Sequence, residues 1–291
     1  WAVPSDVPFI EGDIEDQALV EQTLRAHDVR AIMHFAGSII VPESVENPLK
    51  YYHNNSAKSR SLIESAVRCG VPHFIFSSTA ATYGIPEASP IAEDCPQRPI
   101  NPYGMSKLMT EYMLKDVAAA HPFNFCALRY FNVAGADHQA RSGQSTAGAT
   151  HLIKVAVEAV LGKRDFVGVF GTDFDTADGT GVRDYIHVSD LAAAHVLALE
   201  ALIAEPTQSH LLNCGYGSGF SVLEVLDAVD RVTNTKIERR IEGRRAGDPP
   251  ELISDNRALM ARFPWEPRYA DLDQIVAHAL TWERKLTQIR R

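Results

Sequence analysis

Two side chains with complementary acid–base chemistry lie four residues apart, in the segment YGMSK from Tyr103 to Lys107. Residues at this spacing share one face of a helix, so a phenol and an ammonium group can act there as a pair. A free phenol has a pKa near 10, and a tyrosine base working near pH 7 needs about 4 kcal/mol of differential stabilisation. A neighbouring lysine and a cationic cofactor can supply it.

The YxxxK spacing alone says little, because a tyrosine and a lysine four apart occur by chance on many helices. Thr79 makes the spacing more informative, because this residue is the last of a predicted strand that precedes the helix carrying Tyr103 and Lys107. A strand-end hydroxyl followed by YxxxK on the next long helix resembles the Ser/Thr–Tyr–Lys arrangement of the short-chain dehydrogenase/reductase superfamily.

The elements that must position these groups alternate between short apolar strands and longer helices, which is typical of an α/β protein with a parallel sheet. Strands are predicted at 31–37, 73–79, 124–132, 166–170 and 210–215, and helices near 49–68, 103–119, 150–161, 188–203, 221–233 and 270–287. Three of these strands end in small or polar residues, which predicts a ligand crevice beyond their carboxyl ends. At any single strand end, small residues equally permit a tight turn.

The length, composition and net charge limit the classes of protein to which this chain can belong. With 291 residues, 45% hydrophobic and 22% charged, the chain is long enough for two joined globular lobes. Its net charge of −9 argues against nucleic acid or an anionic membrane as partner, so local basic groups must hold any anionic ligand. No apolar run approaches the length of a membrane span.

The four cysteines, Cys69, Cys95, Cys126 and Cys214, are isolated in the sequence, with neither a CxxC pair nor metal-ligand spacing to a histidine. We therefore expect a reduced, cytoplasmic protein without a metal site.

Eight motifs, in order, resemble the UDP-glucose 4-epimerases, also called UDP-galactose 4-epimerases, of the extended short-chain dehydrogenase/reductase family. They are GDI (12–14), HFAG (34–37), ESVENPLKYYHNN (43–55), FSSTAATYG (76–84), NPYGMSK (101–107), LRYFNVAGA (128–136), DGTGVRDYIHVSDLA (178–192) and RRAGD (244–248). The GTGVRDYIHV stretch is far more specific than YxxxK.

The resemblance implies a doubly wound, Rossmann-like parallel sheet with a smaller α/β substrate lobe. The dinucleotide-binding lobe would take 1–135 and 188–219, and the UDP-sugar lobe would take 136–187 and 220–291. In the family a Gly-rich turn binds the dinucleotide pyrophosphate, and it precedes a stretch like GDI by a strand, a helix and another strand. We therefore expect roughly 40–45 residues with that turn before Trp1. A homodimer through the helices around 49–69 and 103–119 is also implied.

The family's functional residues map onto this chain as follows. The NAD-binding positions are Asp13, Ile14, Phe35, Ala36, Gly37, Asn54, Ser77, Tyr103, Lys107 and Tyr130. The UDP-sugar positions are Thr79, Tyr103, Asn132, His151, Leu152, Phe170, Arg183, Arg245, Asp248 and Leu252. Tyr103 would take the proton from the sugar 4-hydroxyl, with Thr79 sharing that hydrogen bond and Lys107 tuning the phenol. Two arginines also suit a diphosphate through forked, charge-assisted hydrogen bonds.

The implied reaction moves a hydride from sugar C4 to NAD⁺, turns the 4-keto sugar over, and returns the hydride to its other face. Dehydratases of the superfamily carry an acidic pair directly after the strand-end threonine, whereas Ala80 and Ala81 follow Thr79 here. Leu252 occupies a position where many members carry a tyrosine, which leaves room for N-acetylated sugars. His151 and Ile39 also depart from the residues common in the family.

Two alternatives stay open at this stage. The same fold could epimerise a UDP-pentose or a UDP-uronate, because the pocket volume depends on the loop around 137–150. The second alternative is a protein that binds a nucleotide sugar but has lost hydride transfer. It is motivated by the absence of the Gly-rich turn from the sequence.

Overall fold

The computed structural model describes residues 3–245 and 248–289. Its α-helices are α1 (Gln17–Ala26), α2 (Val41–Glu46), α3 (Pro48–Tyr51), α4 (Lys58–Arg68), α5 (Pro102–Ala120), α6 (Leu152–Val160), α7 (Val188–Ala204), α8 (Val222–Thr233), α9 (Arg257–Arg262) and α10 (Leu272–Ile289). The strands are β1 (Ala31–His34), β2 (His73–Thr79), β3 (Asn124–Tyr130), β4 (Asn132–Ala134), β5 (Val167–Phe170), β6 (Val182–Arg183), β7 (Tyr185–His187), β8 (His210–Cys214), β9 (Phe220–Ser221), β10 (Arg239–Glu242) and β11 (Glu251–Leu252). A π-helix (Tyr52–Ala57) joins α3 to α4, and a 3₁₀ turn (Ala80–Thr82) follows β2.

The main sheet has four parallel strands in the order β1-β2-β3-β8. Thr79 at the end of β2 pairs with Tyr130 at the end of β3, so the two strand ends meet at one edge. Helices pack against the sheet, and the two central strands β2 and β3 are buried along almost their whole length, as expected for strands that are covered on both faces. The predicted α/β fold with a parallel sheet is confirmed.

The predicted strand at 124–132 is two strands in the structure. β3 ends at Tyr130, and the chain then turns so that the Asn132 amide donates to the Asp184 carbonyl at 2.9 Å. β4 accordingly pairs with β7 and not with the main sheet. The chain thus leaves the sheet one residue before Asn132.

The remaining strands form small sheets next to helices α6, α8 and α10. β5 pairs with β10, and β6 lies between β11 and β9. A separate hydrophobic cluster connects α6, β5, α8 and α10 through buried side chains such as Val157, Val169, Val225 and Ile275. None of the helices in the described part of the chain combines the length and apolar character needed to span a lipid bilayer.

A buried ion pair joins the main sheet to α5. Arg129 on β3 and Glu111 on α5 are 1% and 0% exposed, and their side chains make two hydrogen bonds of 2.7 and 3.0 Å. Glu111 also accepts from the Ser78 hydroxyl at 2.5 Å. One carboxylate therefore fixes the end of β2, the end of β3 and the helix that carries Tyr103.

The same network continues towards β8. The Arg129 guanidinium donates to the Tyr83 hydroxyl at 2.8 Å, and Tyr83 donates to Asn213 Oδ1 at 2.7 Å. The Asn213 amide group then donates to the Ile91 carbonyl at 2.7 Å. Every polar group along this path is satisfied, which is the condition under which buried charge is tolerated.

We expect Glu111→Gln to lower the free energy of unfolding by about 3–5 kcal/mol, because Arg129 would stay buried without an anion. Urea unfolding followed by circular dichroism measures this. As a control, Glu238→Gln removes the exposed pair of Glu238 with Arg240 and should change the free energy by about 0–1 kcal/mol. Equal effects of the two substitutions would contradict the role of the buried pair.

Candidate active site

A cavity of about 780 Å³ opens at the carboxyl ends of β2 and β3. Ten of the predicted site residues line it: Phe35, Ser77, Thr79, Tyr103, Lys107, Tyr130, Asn132, His151, Leu152 and Leu252. Ile39 lines it as well, so it faces the same space as His151 and Leu252, the other positions that depart from the family pattern. Ala80 and Ala81, which distinguish the chain from the dehydratases, also line the cavity. The structure therefore brings the predicted catalytic groups together with half of the predicted ligand contacts.

The start of α5 shows why the NPYG sequence places Tyr103 in this cavity. Asn101 caps the helix, with its side chain accepting from the Gly104 amide at 2.8 Å, and Pro102 occupies the first turn, where its missing N–H costs nothing. A Cβ on residue 104 would lie 2.4 Å from the Ala81 carbonyl oxygen. Only glycine lets the helix approach the 3₁₀ turn after Thr79 this closely.

Tyr103 and Thr79 are joined by a side-chain hydrogen bond. Burial raises the pKa of the Tyr103 phenol, and the hydrogen bond with Thr79 opposes that shift without cancelling it. A tyrosine base near pH 7 needs a lower pKa, and the protein's own groups do not supply that shift by themselves. The reason is that removing a phenolate from water costs more than one hydrogen bond returns.

Lys107 lies one helical turn further along α5 and is 3% exposed. Its ammonium group donates to the Ser77 carbonyl at 2.8 Å and lies 4.9 Å above the Phe76 ring. Burial lowers the pKa of Lys107 to about 8. At neutral pH it is still mostly protonated, and it brings a positive charge to the wall that carries Tyr103.

The loop after β1 is tied to α5 through Asn55 of the π-helix. The Asn55 side chain accepts from the Ser38 amide at 2.7 Å and donates to the Ser38 carbonyl and the Ser106 hydroxyl at 3.0 Å each. The neighbouring Asn54 donates to the Ser38 hydroxyl at 3.0 Å. A Cβ on Gly37 would lie 2.9 Å from Asn55 Oδ1, so this close approach requires glycine.

Tyr130 is a hydrogen-bond donor and not a second base. The Nδ1 of His195 lies 2.8 Å from the Leu191 carbonyl and must donate to it, which leaves Nε2 to accept from the Tyr130 hydroxyl at 2.5 Å. Burial also raises the pKa of Tyr130. Phe35 packs beside the same histidine, with ring centroids 5.0 Å apart.

This set of groups fits a dinucleotide cofactor. Donors from Tyr103 and Lys107 and the ring of Phe35 surround a cavity at the strand ends, where open α/β sheets bind nucleotides. Gly37 keeps the adjoining loop free of a side chain. No group of three or more His, Cys, Asp or Glu side chains in the described residues could hold a metal ion.

Several predicted site residues lie away from the cavity. Asp13 pairs with Lys58, whose hydrogen bond lowers the pKa of that carboxyl, and Ile14 packs against the core between α1 and α4. Ala36, Gly37 and Asn54 are close to the cavity but are not among the residues that line it.

Four of the predicted UDP-sugar contacts, Phe170, Arg183, Arg245 and Asp248, form two pairs in or next to the small sheets. Arg183 donates to Asp248 at 2.5 Å, and the Arg245 guanidinium stacks over Phe170 at 3.7 Å from the ring centroid. None of the four lines the cavity, so their part in ligand binding stays a prediction. Within the RRAGD motif, Ala246 and Gly247 lie outside the described residues.

Many further residues line the cavity and were not predicted, among them Gln144, Lys154, Trp282 and Glu283. Lys154 and Glu283 are paired although 129 positions separate them, so no local spacing could reveal the contact. The sequence offers one indication of such a contact: Lys154 lies in the otherwise mainly apolar helix α6, and a buried lysine requires an acidic partner.

Comparisons with known proteins agree with this geometry. The sequence model of the "NAD dependent epimerase/dehydratase family" matches residues 1–215. A protein of Azospirillum brasilense named "UDP-glucose 4-epimerase" is 54% identical over 99% of this chain and 82% of its own length.

Two solved structures are also similar. The UDP-glucose 4-epimerase of Brucella ovis, in complex with NAD, is 43% identical with a TM-score of 0.91, over 94% of this chain and 84% of that one. The UDP-Glc/GlcNAc 4-epimerase of Campylobacter jejuni is 47% identical with a TM-score of 0.84, over 97% and 85%. The chain belongs to the NAD dependent epimerase/dehydratase family and, within it, to the UDP-glucose 4-epimerases.

Proposed function

We propose that the protein interconverts UDP-glucose and UDP-galactose, with NAD as its cofactor. The observation that carries the proposal is the placement of Thr79, Tyr103 and Lys107 on one cavity at the strand ends. Ala80 and Ala81 line the same cavity where dehydration would need acidic groups. A complete set of hydride-transfer residues also argues against a non-catalytic remnant.

The protein's side chains and the cofactor supply different parts of the reaction at sugar C4. When bound, NAD supplies the hydride acceptor and donor. Tyr103 removes the proton from the 4-hydroxyl and returns it after the sugar has turned over, and the Thr79 hydroxyl shares that hydrogen bond. Because burial raises the pKa of the phenol, the positive charge of Lys107 and of the cofactor must offset that shift.

We extend the proposal to the other ligand contacts. NAD would be held by Asp13, Ile14, Phe35, Ala36, Gly37, Asn54, Ser77, Tyr103, Lys107 and Tyr130. The UDP-sugar would be held by Thr79, Tyr103, Asn132, His151, Leu152, Phe170, Arg183, Arg245, Asp248 and Leu252. The shared cavity supports the assignments of the ten residues that line it. The others rest on the family pattern.

The division into two interleaved lobes is a further part of the proposal. Residues 1–135 and 188–219 would form the dinucleotide-binding lobe, and 136–187 and 220–291 the sugar lobe. The separate hydrophobic cluster of α6, β5, α8 and α10 supports this division. Leu259, Phe263 and Trp265 depart from it, since they pack with α7 and the main sheet.

Assembly and location complete the proposal. A homodimer is supported by apolar side chains exposed on one part of the surface, including Leu49 at 77%, Met109 at 42% and Tyr112 at 50%. A cytoplasmic location is supported by four cysteines that are all free thiols.

Substrate breadth depends on Leu252, which lines the cavity. The side chain is smaller than the tyrosine common in the family, so UDP-N-acetylhexosamines would also fit. UDP-pentoses and UDP-uronates are the competing substrates, and turnover of each class with the holoenzyme distinguishes them.

We expect Tyr103→Phe to lower kcat by about 10²–10⁴-fold, because the group that moves the 4-hydroxyl proton is removed. UDP-galactose formation from UDP-glucose measures this, and UDP affinity should be unchanged. Tyr112→Phe, an exposed tyrosine on the same helix, is the matched control. Near-normal kcat in Tyr103→Phe would refute the assignment of the base.

Arg183→Ala and Arg245→Ala should each weaken UDP binding by about 1.5–3 kcal/mol, because a diphosphate would lose a charged donor. Calorimetry with UDP measures the change, and NAD content should stay constant. Arg240→Ala is the control, because Arg240 stacks on Phe166 at 3.8 Å much as Arg245 stacks on Phe170. Equal UDP affinity in all three variants would rule out the diphosphate role.

Leu252→Tyr should reduce kcat/KM for UDP-N-acetylglucosamine more than for UDP-glucose, since the added ring fills cavity space beside the sugar. Leu252→Met, which conserves volume, should leave the ratio of the two values unchanged. If both substrates respond equally to the tyrosine, or the parent does not use the N-acetylated sugar, this assignment is wrong.

A further inference from the structure

The wall of the cavity between β4 and α6 is built from an irregular segment, residues 135–151. Seven of its residues line the cavity: Gly135, Asp137, Ser142, Gly143, Gln144, Thr146 and His151. Its internal contacts are one bridge between Ala136 and Gly143 and a turn in which the Asp137 carboxylate accepts from the Gln139 and Arg141 amides. A segment of this length without its own secondary structure needs contacts from outside to hold one shape.

Helix α10 supplies those contacts through side-chain donors. The Trp282 indole N–H donates to the Gln144 carbonyl at 3.0 Å, and the Lys285 ammonium donates to the Ala140 carbonyl at 2.7 Å. Both acceptors are backbone atoms of the wall segment. These two bonds therefore fix the path of the chain, whatever side chains the segment presents to the cavity.

Packing at Gly143 makes the contact specific. A Cβ on residue 143 would lie 2.5 Å from two carbon atoms of the Trp282 ring. The ring itself is 2% exposed and is enclosed by Ala136, Ala140 and Leu286. Neither the indole nor the glycine can move without the other.

A buried charge cluster fixes α10 at the same point. Glu283, next to Trp282, is 2% exposed and accepts from both Lys154 of α6 and Lys163. The Lys154 ammonium also lies 3.4 Å from the Gln144 carbonyl. Because a buried carboxylate without its cations is costly, α10 is held in one register against α6.

We propose that α10 positions the 140–144 segment as a wall of the UDP-sugar site and thereby sets the affinity for that substrate. The inference rests on the proposed function, since it assigns this wall to the UDP-sugar. Lys285 does not line the cavity, so it is a positioning residue that acts through the Ala140 carbonyl. Its effect falls on substrate binding and not on the proton transfer at Tyr103.

The test uses the holoenzyme and the variant Lys285→Met, which keeps the aliphatic stem and removes the donor. We expect KM for UDP-glucose and the calorimetric Kd for UDP to rise at least fivefold, with kcat within twofold and NAD content unchanged. Amide hydrogen exchange in residues 140–144 should become faster. The control is Arg284→Met, which removes an exposed cation at the preceding position of α10 and should change none of these quantities.

A double-mutant cycle tests the Gly143–Trp282 contact. Gly143→Ala should raise KM by pushing the wall segment off the indole, and it should do so much less in a Trp282→Leu background, where space is available. Strict additivity, or unchanged KM and exchange rates in Lys285→Met, would overturn the inference. A parent protein that binds no UDP-sugar would instead refute the proposed function, and the assignment of this wall to a substrate would fail with it.

Discussion

The pairing of Arg129 with Glu111 is the interaction on which the geometry of the active site depends. Glu111 lies two helical turns after Tyr103 and one after Lys107, so all three share the face of α5 that meets the sheet. The same carboxylate accepts from Ser78, the residue before Thr79. One buried anion thus sets the distance between the helix that carries the phenol and the strand end that carries its hydrogen-bond partner.

Local chemistry made much of this site predictable from sequence. A helix is predicted near 103–119, and Asn101, Pro102 and Gly104 give it a capped start that can approach the turn after Thr79. The main parallel strands are also confirmed, because strands buried on both faces are recognisable as apolar runs. Structural features that depend on a few consecutive residues could therefore be predicted.

Features that depend on distant partners could not be predicted. The helix expected at 49–68 contains a π-helix, because Asn55 must reach both Ser38 and Ser106, and no local pattern encodes that requirement. Strands of two or three residues, such as β6 and β7, are too short for periodicity to reveal. The pairing of Lys154 with Glu283 likewise exists only after α6 and α10 have packed.

The phenol of Tyr103 shows how burial opposes the electrostatics that a local spacing suggests. Lys107 and a cationic cofactor together are expected to lower its pKa; among the protein's own groups, the Lys107 ammonium is directed to the Ser77 carbonyl, and burial raises the pKa. The basicity needed for catalysis is therefore a property of the assembled complex and not of the polypeptide.

The position of Asn213 in the network around Arg129 has a consequence for biosynthesis. This residue belongs to β8, an outer strand of the four-stranded sheet and the last of its four strands to be synthesised, and it accepts the hydrogen bond from Tyr83. On the ribosome, the 130 positions that separate Tyr83 from Asn213 must therefore be made before that hydrogen bond can form. Until then β3 has an open edge, of the kind that promotes aggregation. The nascent chain therefore passes through an interval in which the edge of β3 has no partner strand.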